Sequence, residues 1–258
     1  AWAEGWVEPV HVGKPTGQSV GIIGAGPAGL TAAEYLRVQG HEVHVYDRHD
    51  RPGGLLVYGI PSFKLEKHVV ERRTRRLADG GVRYALGFEL GRDAGLAELR
   101  ERHDSVLLAT GVYKARDLAA PGAGSDGVVP ALEYLIASNR KGMSDAVPDF
   151  DSGRLNAAGK DVVVVGGGDT AMDCVRTAIR QGAASVTCLY RRDRENMPGS
   201  DREVGHAEEE GVLFEWLASP KAVTGEAARA AGLRAARMRL GPPDATGRQS
   251  PEEIEGAD

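Results

Sequence analysis

The chain has 258 residues, enough for one large or two medium domains, which excludes a peptide hormone or a disulfide-stapled miniature. Its 32 basic and 37 acidic residues give a net charge of −5, without the basic excess of a nucleic-acid binder, so small molecules or proteins are the expected partners. The two cysteines, Cys174 and Cys188, cannot build a disulfide framework or a zinc or iron–sulfur site. No apolar run approaches the roughly 20 residues that span a bilayer. We therefore expect a soluble protein of the reducing cytoplasm.

The first elements in chain order are a linker and a βαβ unit. Residues 1–18 contain two prolines and three glycines without periodicity, which is typical of a linker that follows an upstream domain. An apolar run over 20–23, a glycine turn, a helical pattern over 28–39 and a second apolar run over 43–46 come next. This alternation predicts parallel strands joined by a helix.

The βαβ pattern restarts after a less regular middle section. The middle section is predicted to contain a basic helix over 66–79, strands near 82–84 and over 106–109, a loop over 114–130 and a helix near 131–138. The second unit is predicted to have strands over 162–165 and 186–190 around a helix over 170–180. A capping box from Ser200 to Glu203 then opens a helix that Gly211 ends, and a strand over 212–217 follows.

A glycine-rich turn joins the first predicted strand to the first predicted helix. It comprises Gly24, Ala25, Gly26, Pro27, Ala28 and Gly29. This GxGxxG pattern between strand and helix, with Asp47 ending the next strand, is the fingerprint of a dinucleotide-binding site. Gly24 would make the tight turn, Gly26 would leave room for the pyrophosphate, and Gly29 would let the helix approach the strand. The helix N-terminus would hold the phosphates, and Asp47 would accept a hydrogen bond from an adenosine ribose hydroxyl.

A second glycine-rich turn occupies the same position in the second unit. It comprises Gly166, Gly167, Gly168, Asp169, Thr170 and Ala171. Here the second strand runs into Arg191 and Arg192, where an NAD site would carry an acid. Guanidinium groups match a phosphate bidentately, so these arginines favour NADP through its 2′-phosphate. A solvated basic loop is the alternative interpretation.

Two such turns indicate two dinucleotides, and the segments between them suit a flavin. Residues 51–56 could wrap a second stretch of cofactor backbone, and residues 58–61 could place apolar surface near a ring system. The strand that runs into 109–111 could belong to the flavin site, or it could be a buried strand with a turn after it. Hydride transfer between stacked rings needs no side-chain acid or nucleophile, so no catalytic residue is predicted.

Four segments together resemble two-dinucleotide flavoproteins in which an NADPH domain is inserted into an FAD domain. They are GAGPAG at 24–29, RPGGLLVYGIP at 51–61, ATG at 109–111 and GGGDTA at 166–171. Residues 64–73 and 190–211 resemble more closely the small subunits of NADPH-dependent glutamate synthases. The resemblance covers about residues 1–217 and implies an α/β fold with two Rossmann-like domains.

The resemblance also implies cofactors, site residues and a partner. FAD would bind the first turn with Asp47 at its adenosine ribose, and NADPH would bind the second turn with Arg191 and Arg192 at the 2′-phosphate. Further residues implied along FAD are Gly54, Leu55, Lys64 and the backbone near Leu90. Electrons would leave singly through [4Fe-4S] clusters in an N-terminal domain or a partner subunit. They would reach a large glutamate synthase subunit that makes glutamate from glutamine and 2-oxoglutarate.

Domain boundaries follow from the same resemblance. Residues 1–18 would be the linker from an iron–sulfur domain, 19–155 the first part of the FAD-binding domain, and 156–240 an incomplete NADPH-binding domain. Residues 241–258 contain a single large aliphatic residue, Ile254, and are predicted to be disordered. Since the family's cysteine-rich domain and its later segments are missing, we interpret the chain as a fragment that binds FAD weakly.

Other interpretations stay open. Electron-input modules of dihydropyrimidine dehydrogenase and of NADPH:ferredoxin oxidoreductases share the architecture, and a non-enzymatic nucleotide-binding assembly subunit would fit the fold. An acid at one predicted ribose and arginines at the other favour an enzyme. The seven histidines have no metal-ligand spacing, so no metal site is predicted. Residues 208–210, all glutamate, are expected to be a solvated helix end, and both cysteines are expected in apolar packing.

Overall fold

The computed structural model describes residues 2, 4–114, 117–226 and 228–257. Ala1 and Ala3 of the predicted linker and Asp258 of the predicted tail lie outside the described residues. The chain divides into two compact units, Ala1–Tyr113 and Lys114–Asp258. Each unit has a parallel sheet with helices, so the predicted α/β class is confirmed.

Unit 1 is built on a four-stranded parallel sheet. Its elements are β1 (Ser19–Ile23), α1 (Pro27–Val38), β2 (Glu42–Asp47), α2 (Leu55–Tyr58), α3 (Lys67–Asp79), β3 (Arg83–Leu86), α4 (Leu96–Arg102) and β4 (Ser105–Leu108). The strand order is β3-β2-β1-β4, and Ile23 of β1 lies opposite Tyr46 of β2. Because neighbouring parallel strands end at one edge of the sheet, the turn after β1 and Asp47 at the end of β2 come together there.

The core of unit 1 also takes in part of the predicted linker. Val10 is buried in the same cluster as Ile22 and Val45. The Gly13 N–H donates to the Val38 carbonyl oxygen at 3.0 Å, and the Arg76 guanidinium donates to the carbonyl oxygen of Glu8 at 2.6 Å. Residues 8–13 are therefore attached to unit 1 rather than extending away from it, although the segment has no periodicity that would predict this.

Unit 2 has a parallel sheet followed by an antiparallel one. Its elements are α5 (Ala131–Gly142), α6 (Pro148–Asp151), β5 (Asp161–Val165), α7 (Asp169–Arg180), β6 (Ser185–Tyr190), α8 (Asp201–Glu209), β7 (Leu213–Trp216), β8 (Ala218–Glu226), β9 (Arg229–Pro243) and β10 (Gln249–Glu253). The parallel order is β5-β6-β7 and the antiparallel order is β10-β9-β8. The Ser200 hydroxyl accepts from the Glu203 N–H at 3.4 Å, which confirms the Ser200 half of the predicted capping box. The Ser200 N–H donates to the Asp169 carboxylate at 3.4 Å, and the Glu203 carboxylate accepts from Arg176 at 2.9 Å.

The prediction of a disordered tail over 241–258 is wrong for the described part of that segment. Strand β9 continues to Pro243, and β10 pairs with it, with Glu253 opposite Met238. In the connecting turn the Asp244 carboxylate accepts from the N–H groups of Thr246 at 2.8 Å and Arg248 at 3.0 Å. Backbone pairing and this local turn order a segment with few apolar side chains, and composition does not report either.

The predicted domain boundary at 155/156 also differs from the structure, which divides the chain at 113/114. Helix α5 packs against α7 in unit 2, where Leu135 is buried and the Tyr134 hydroxyl donates to the Gln181 side chain at 2.9 Å. Strands β8 and β9 were not predicted, because β8 contains Pro220 and Gly225 and β9 is rich in alanine, and these residue types are depleted in strands.

The expectation of a solvated helix end at 208–210 is wrong for Glu210. Its carboxylate accepts hydrogen bonds from Arg176 and Arg180, each at 2.7 Å, and Arg176 is buried. Burial raises the pKa of Glu210, but the hydrogen bonds from these two arginines outweigh it and hold that pKa below its ordinary value. Arg176 also binds Glu203 at 2.9 Å, so one guanidinium of α7 fixes both ends of α8.

The remaining general predictions concern membranes, metals and cysteines. In the part of the chain that the structure describes, no helix is long and apolar enough to cross a membrane. Within the same ranges, no cluster of three or more His, Cys, Asp or Glu side chains could hold a metal ion. Cys174 of α7 and Cys188 of β6 are both buried, as predicted. Burial raises the pKa of each thiol to about 12.

Candidate functional site

The first glycine turn connects β1 to α1 by a close approach of backbone to backbone. Gly24 has φ 113°, and a Cβ at this position would lie 2.3 Å from the carbonyl oxygen of Ala109. A Cβ at Gly29 would lie 1.9 Å from the carbonyl oxygen of Gly24. Only glycine fits either position, in agreement with the roles predicted for the tight turn and for the approach of the helix to the strand.

Gly26 differs from its two neighbouring glycines because it borders open space. It is the N-cap of α1, with φ −76°, and apart from its two neighbours in the chain no described residue has an atom within 4 Å of a Cβ built there. Pro27 is the first helical residue, followed by Ala28 and Gly29. The positive end of a helix next to such a space is suited to an anionic group, so the cradle fits a pyrophosphate.

Asp47 lies beside the first turn and is buried. One carboxylate oxygen accepts the Ala25 N–H at 2.6 Å. The other accepts the His49 backbone N–H at 2.8 Å and lies 2.9 Å from the ring Nδ1 of His49. Burial raises the pKa of Asp47, but the hydrogen bonds from His49 and Ala25 more than offset this and lower it. The predicted ribose acid is therefore ionised and oriented by the turn itself.

The segment 51–61 lies against the first turn. Gly53 donates its N–H to the Ala25 carbonyl oxygen at 2.7 Å. Gly54 has φ 54°, and a Cβ there would lie 2.8 Å from the Cα of Gly26. Leu55 begins α2 and is partly exposed. The structure thus brings Gly54 and Leu55 to the turn, as the prediction of a second cofactor-wrapping segment requires.

Two further predicted FAD residues lie in loops of unit 1. Lys64 follows the segment 51–61, and its N–H donates to the Pro61 carbonyl oxygen at 2.9 Å. Leu90 lies in the loop after β3 and packs against a small cluster that includes Ile23 and Tyr46. These two cluster residues directly precede Gly24 and Asp47, so Leu90 lies near the same edge of the sheet.

An aromatic stack lies next to Asp47 and was not predicted from the sequence. The His49 ring stacks on the fully buried Tyr58 ring, with centroids 4.6 Å apart. The Tyr113 ring centroid is 5.7 Å from that of His49, and the Arg48 guanidinium lies 4.3 Å above the Tyr113 ring. Tyr113 lies more than fifty residues after His49 and Tyr58 in the chain, so only the fold brings it to them.

The second glycine turn repeats the geometry of the first. Gly166 has φ 147°, and a Cβ at Gly167 would lie 2.5 Å from the Tyr190 ring. Gly168 is the N-cap of α7, and a Cβ there would have no atom within 4 Å from the described residues other than its two neighbours in the chain. Asp169 and Thr170 form the first turn of α7. Gly168 therefore corresponds to Gly26 and offers the same cradle.

The arginine loop, residues 191–200, connects β6 to α8 beside this turn. Arg191 is exposed and Arg192 is partly buried. The Arg192 Nε is buried, and it has no hydrogen-bond partner within the described ranges. Arg194 pairs with Glu208 at 2.5 Å, whereas neither Arg191 nor Arg192 has a carboxylate partner among the described residues. An orphaned buried donor next to a second guanidinium fits a phosphate ligand.

The chain belongs to the pyridine nucleotide-disulphide oxidoreductase family, whose model matches residues 18–238. Over its full length it is 65% identical to the glutamate synthase [NADPH] small chain of Azospirillum brasilense and 45% identical to that of Escherichia coli. It is 62% identical to a putative glutamate synthase [NADPH] small chain of Cereibacter sphaeroides. The chain spans 53%, 55% and 62% of the length of these three relatives.

Solved structures share the fold at low sequence identity. FprA of Mycobacterium tuberculosis in complex with NADPH matches 95% of this chain, and 68% of that chain, with a TM-score of 0.79 at 18% identity. Thioredoxin reductase of Lactococcus lactis matches 92% of this chain, and 74% of that chain, with a TM-score of 0.59 at 21% identity. These matches confirm the predicted α/β fold.

Proposed function

We propose that this chain is the part of an NADPH-dependent flavin oxidoreductase that binds FAD at the first glycine turn and NADPH at the second. The observation that carries the proposal is the difference between the two turns. Asp47 ends β2 beside the first turn, whereas Arg191 and Arg192 follow β6 beside the second. A carboxylate suits a ribose hydroxyl and guanidinium groups suit a 2′-phosphate. Similarity to glutamate synthase small chains supports this assignment.

The residues of unit 1 would hold FAD along the edge of the sheet. The backbone from Gly24 to Gly29 would bind the pyrophosphate in the space beside Gly26, and Asp47 would bind the adenosine ribose. Further contacts would come from Gly54, Leu55, Lys64 and the backbone near Leu90. The short distance between Gly54 and Gly26 supports a site made from both segments.

The residues of unit 2 would hold NADPH. The backbone of Gly166, Gly167, Gly168, Asp169 and Thr170 would bind the pyrophosphate. Arg191 and Arg192 would bind the 2′-phosphate, which would give the buried Arg192 Nε an acceptor.

Bound together, the two cofactors supply hydride transfer and the release of single electrons, and this chemistry needs no acid or nucleophile from the protein. We therefore propose no catalytic residue. We further propose that the electrons pass through [4Fe-4S] clusters outside this chain to a large glutamate synthase subunit, which makes glutamate from glutamine and 2-oxoglutarate. The buried cysteines suit the reducing cytoplasm in which such a reaction would run.

Reciprocal glycine variants test the proposed sites. Gly26→Val and Gly168→Val each place a side chain in one cradle, at positions where the fold leaves space for it. We expect Gly26→Val to abolish the quenching of FAD fluorescence on titration with protein and to leave calorimetric NADPH binding unchanged. Gly168→Val should have the opposite effect. If Gly26→Val bound FAD like the unaltered chain, the first turn would be structural only and the site assignment would be wrong.

A further inference from the structure

The arginine loop is held in one conformation by Asp193 and Tyr190, both of which bind Asn196 within it. We propose that Asp193, together with Tyr190, is a positioning residue that sets the preference for a 2′-phosphorylated nucleotide by holding this loop in its binding conformation. The inference rests on the proposed NADPH site and adds to it the residues that shape the phosphate pocket.

Asp193 closes a turn inside the arginine loop. Its Oδ1 accepts two hydrogen bonds from Asn196, one from the backbone N–H at 3.0 Å and one from the side-chain Nδ2 at 2.7 Å. The Met197 N–H donates to the Arg194 carbonyl oxygen at 3.1 Å within the same turn. One carboxylate oxygen therefore fixes Asn196 through both its backbone and its side chain.

Tyr190 attaches Asn196 to the second glycine turn. Its hydroxyl donates to the carbonyl oxygen of Asn196 at 3.2 Å. Its ring lies against Gly167, where a Cβ would come within 2.5 Å of the ring carbons. The Tyr190 and Trp216 rings are nearly perpendicular, with centroids 6.5 Å apart. Asn196 is thus bound to Asp193 on one side and, through Tyr190, is fixed in place beside the turn.

The two ends of the arginine loop are tied down independently of Asp193. The Leu217 N–H donates to the Arg192 carbonyl oxygen at 3.0 Å, and the Gly199 N–H donates to the Gly167 carbonyl oxygen at 2.8 Å. Loss of the Asp193 turn would therefore loosen the middle of the loop and leave its ends and the fold in place.

Charge repulsion between Arg191 and Arg192 gives this internal turn its importance. The two arginines are adjacent and neither has a carboxylate partner among the described residues, and like charges so close together favour an open, solvated loop. A loop that must be ordered by the ligand binds more weakly than one ordered beforehand, because the ordering entropy is lost on binding. Only a ligand that engages the arginines is affected, so the effect should be confined to 2′-phosphorylated nucleotides.

The carboxylate of Asp193 allows positioning to be separated from simple electrostatics. As a charge alone, an acid next to two phosphate-binding arginines opposes binding, and its removal would tighten it. As a hydrogen-bond acceptor that shapes the loop, it favours binding. Asp193→Asn keeps an acceptor oxygen at the same reach and removes the charge, whereas Asp193→Ala removes both.

The test uses calorimetric titration of the full chain with adenosine 2′,5′-bisphosphate, and with 5′-AMP as the ligand that lacks the 2′-phosphate. We expect Asp193→Ala to weaken bisphosphate binding about tenfold and Tyr190→Phe about threefold, as for the loss of one or two hydrogen bonds. Asp193→Asn should bind the bisphosphate as tightly as the unaltered chain or more tightly. Binding of 5′-AMP should stay the same in all three variants, and thermal unfolding checks that each is folded.

Equal or tighter bisphosphate binding by Asp193→Ala would overturn the proposal, and so would failure of Asp193→Asn to retain binding. If Asp193→Ala did not fold, Tyr190→Phe decides, since it removes one hydroxyl only: weaker bisphosphate binding supports the proposal and unchanged binding overturns it. The variant that combines Arg191→Ala with Arg192→Ala is measured in parallel. If it binds the bisphosphate normally, the proposed NADPH site itself is wrong; if it binds weakly while Asp193→Ala does not, only the positioning role is wrong.

Discussion

Asp47 Oδ2 accepts a hydrogen bond from the Ala25 N–H at 2.6 Å, which joins the end of β2 directly to the glycine turn after β1. The second carboxylate oxygen is bound by His49. The acid that sequence assigns to a ribose therefore also fixes the backbone that would bind the pyrophosphate. Its charge contributes to the shape of the site before any ligand is bound.

Replacement of Asp47 should cost stability as well as FAD affinity. Asp47→Ala leaves the buried Ala25 N–H without its acceptor, and we expect the free energy of unfolding to fall by about 1–3 kcal/mol. Asp47→Asn keeps one acceptor oxygen and should cost less. Urea denaturation measures both variants, and equal stability of Asp47→Ala and the unaltered chain would contradict the structural role of this carboxylate.

The arginine pair should separate NADPH from NADH. Loss of a charge-assisted bidentate contact costs about 1.5–3 kcal/mol, so Arg191→Ala with Arg192→Ala should weaken NADPH binding by roughly ten- to a hundredfold and leave NADH binding unchanged. The matched control replaces Arg237 and Arg239, exposed arginines of β9 that pair with Glu215 and Glu252. Calorimetry that gave equal losses for both nucleotides would exclude a 2′-phosphate site here.

Two glycines of the first turn should respond differently to a single added methyl group. At Gly29 the methyl carbon would lie 1.9 Å from the Gly24 carbonyl oxygen, so Gly29→Ala should lower the free energy of unfolding by about 1–3 kcal/mol or more. At Gly26 the fold has space, so Gly26→Ala should change the free energy of unfolding by less than about 1 kcal/mol. The same variant should weaken FAD binding. Chemical denaturation and FAD titration distinguish the two. Similar losses of stability in the two variants would contradict the difference in space between the two positions.

A histidine pair in unit 1 makes stability depend on pH. The rings of His44 and His103 are 4.9 Å apart, and the two nitrogens of His103 lie 2.9 Å from the Tyr46 hydroxyl and 3.3 Å from the Ser19 hydroxyl. Burial lowers the pKa of both histidines. At His44, Arg83 lowers the pKa further and Glu42 raises it. At His103, His44 and Arg102 lower the pKa further and Asp104 raises it.

The sign of the pH effect follows from these lowered pKa values. An unfolded histidine has a pKa of about 6.5. Below that pH the unfolded chain binds protons that the folded chain does not, so the free energy of unfolding should fall as the pH drops through 6.5 toward the folded values. Urea midpoints measured from neutral to mildly acidic pH should show this fall, and His103→Gln should reduce it. His68→Gln, at an exposed histidine of α3, is the matched control; an unchanged slope in His103→Gln would contradict the assignment.

The glycine turns could be predicted from sequence because their geometry is local. Gly24, Gly26 and Gly29 lie within six residues, and each role depends on the adjoining strand and helix. The stack of His49, Tyr58 and Tyr113 could not be predicted, because its members meet only when the sheet has formed.

The partners of charged and polar segments were hard to predict, because those partners lie far away in the chain. The expectation for residues 208–210 was wrong at Glu210 because its partners, Arg176 and Arg180, lie on a helix about thirty residues earlier. The tail was mispredicted because β10 is held by pairing with β9, and a composition of polar residues says nothing about a partner strand.

Burial of both thiols has a practical chemical consequence. Burial raises the pKa of each thiol to about 12, so almost no thiolate is present at neutral pH, and the thiolate is the form that reacts with maleimides and iodoacetamides. The natural chain should therefore be nearly inert to these reagents while it is folded. A cysteine introduced at Glu195, an exposed position of the arginine loop, would accept a single fluorophore without removal of the native cysteines, and nucleotide-dependent motion of that loop could then be followed in real time.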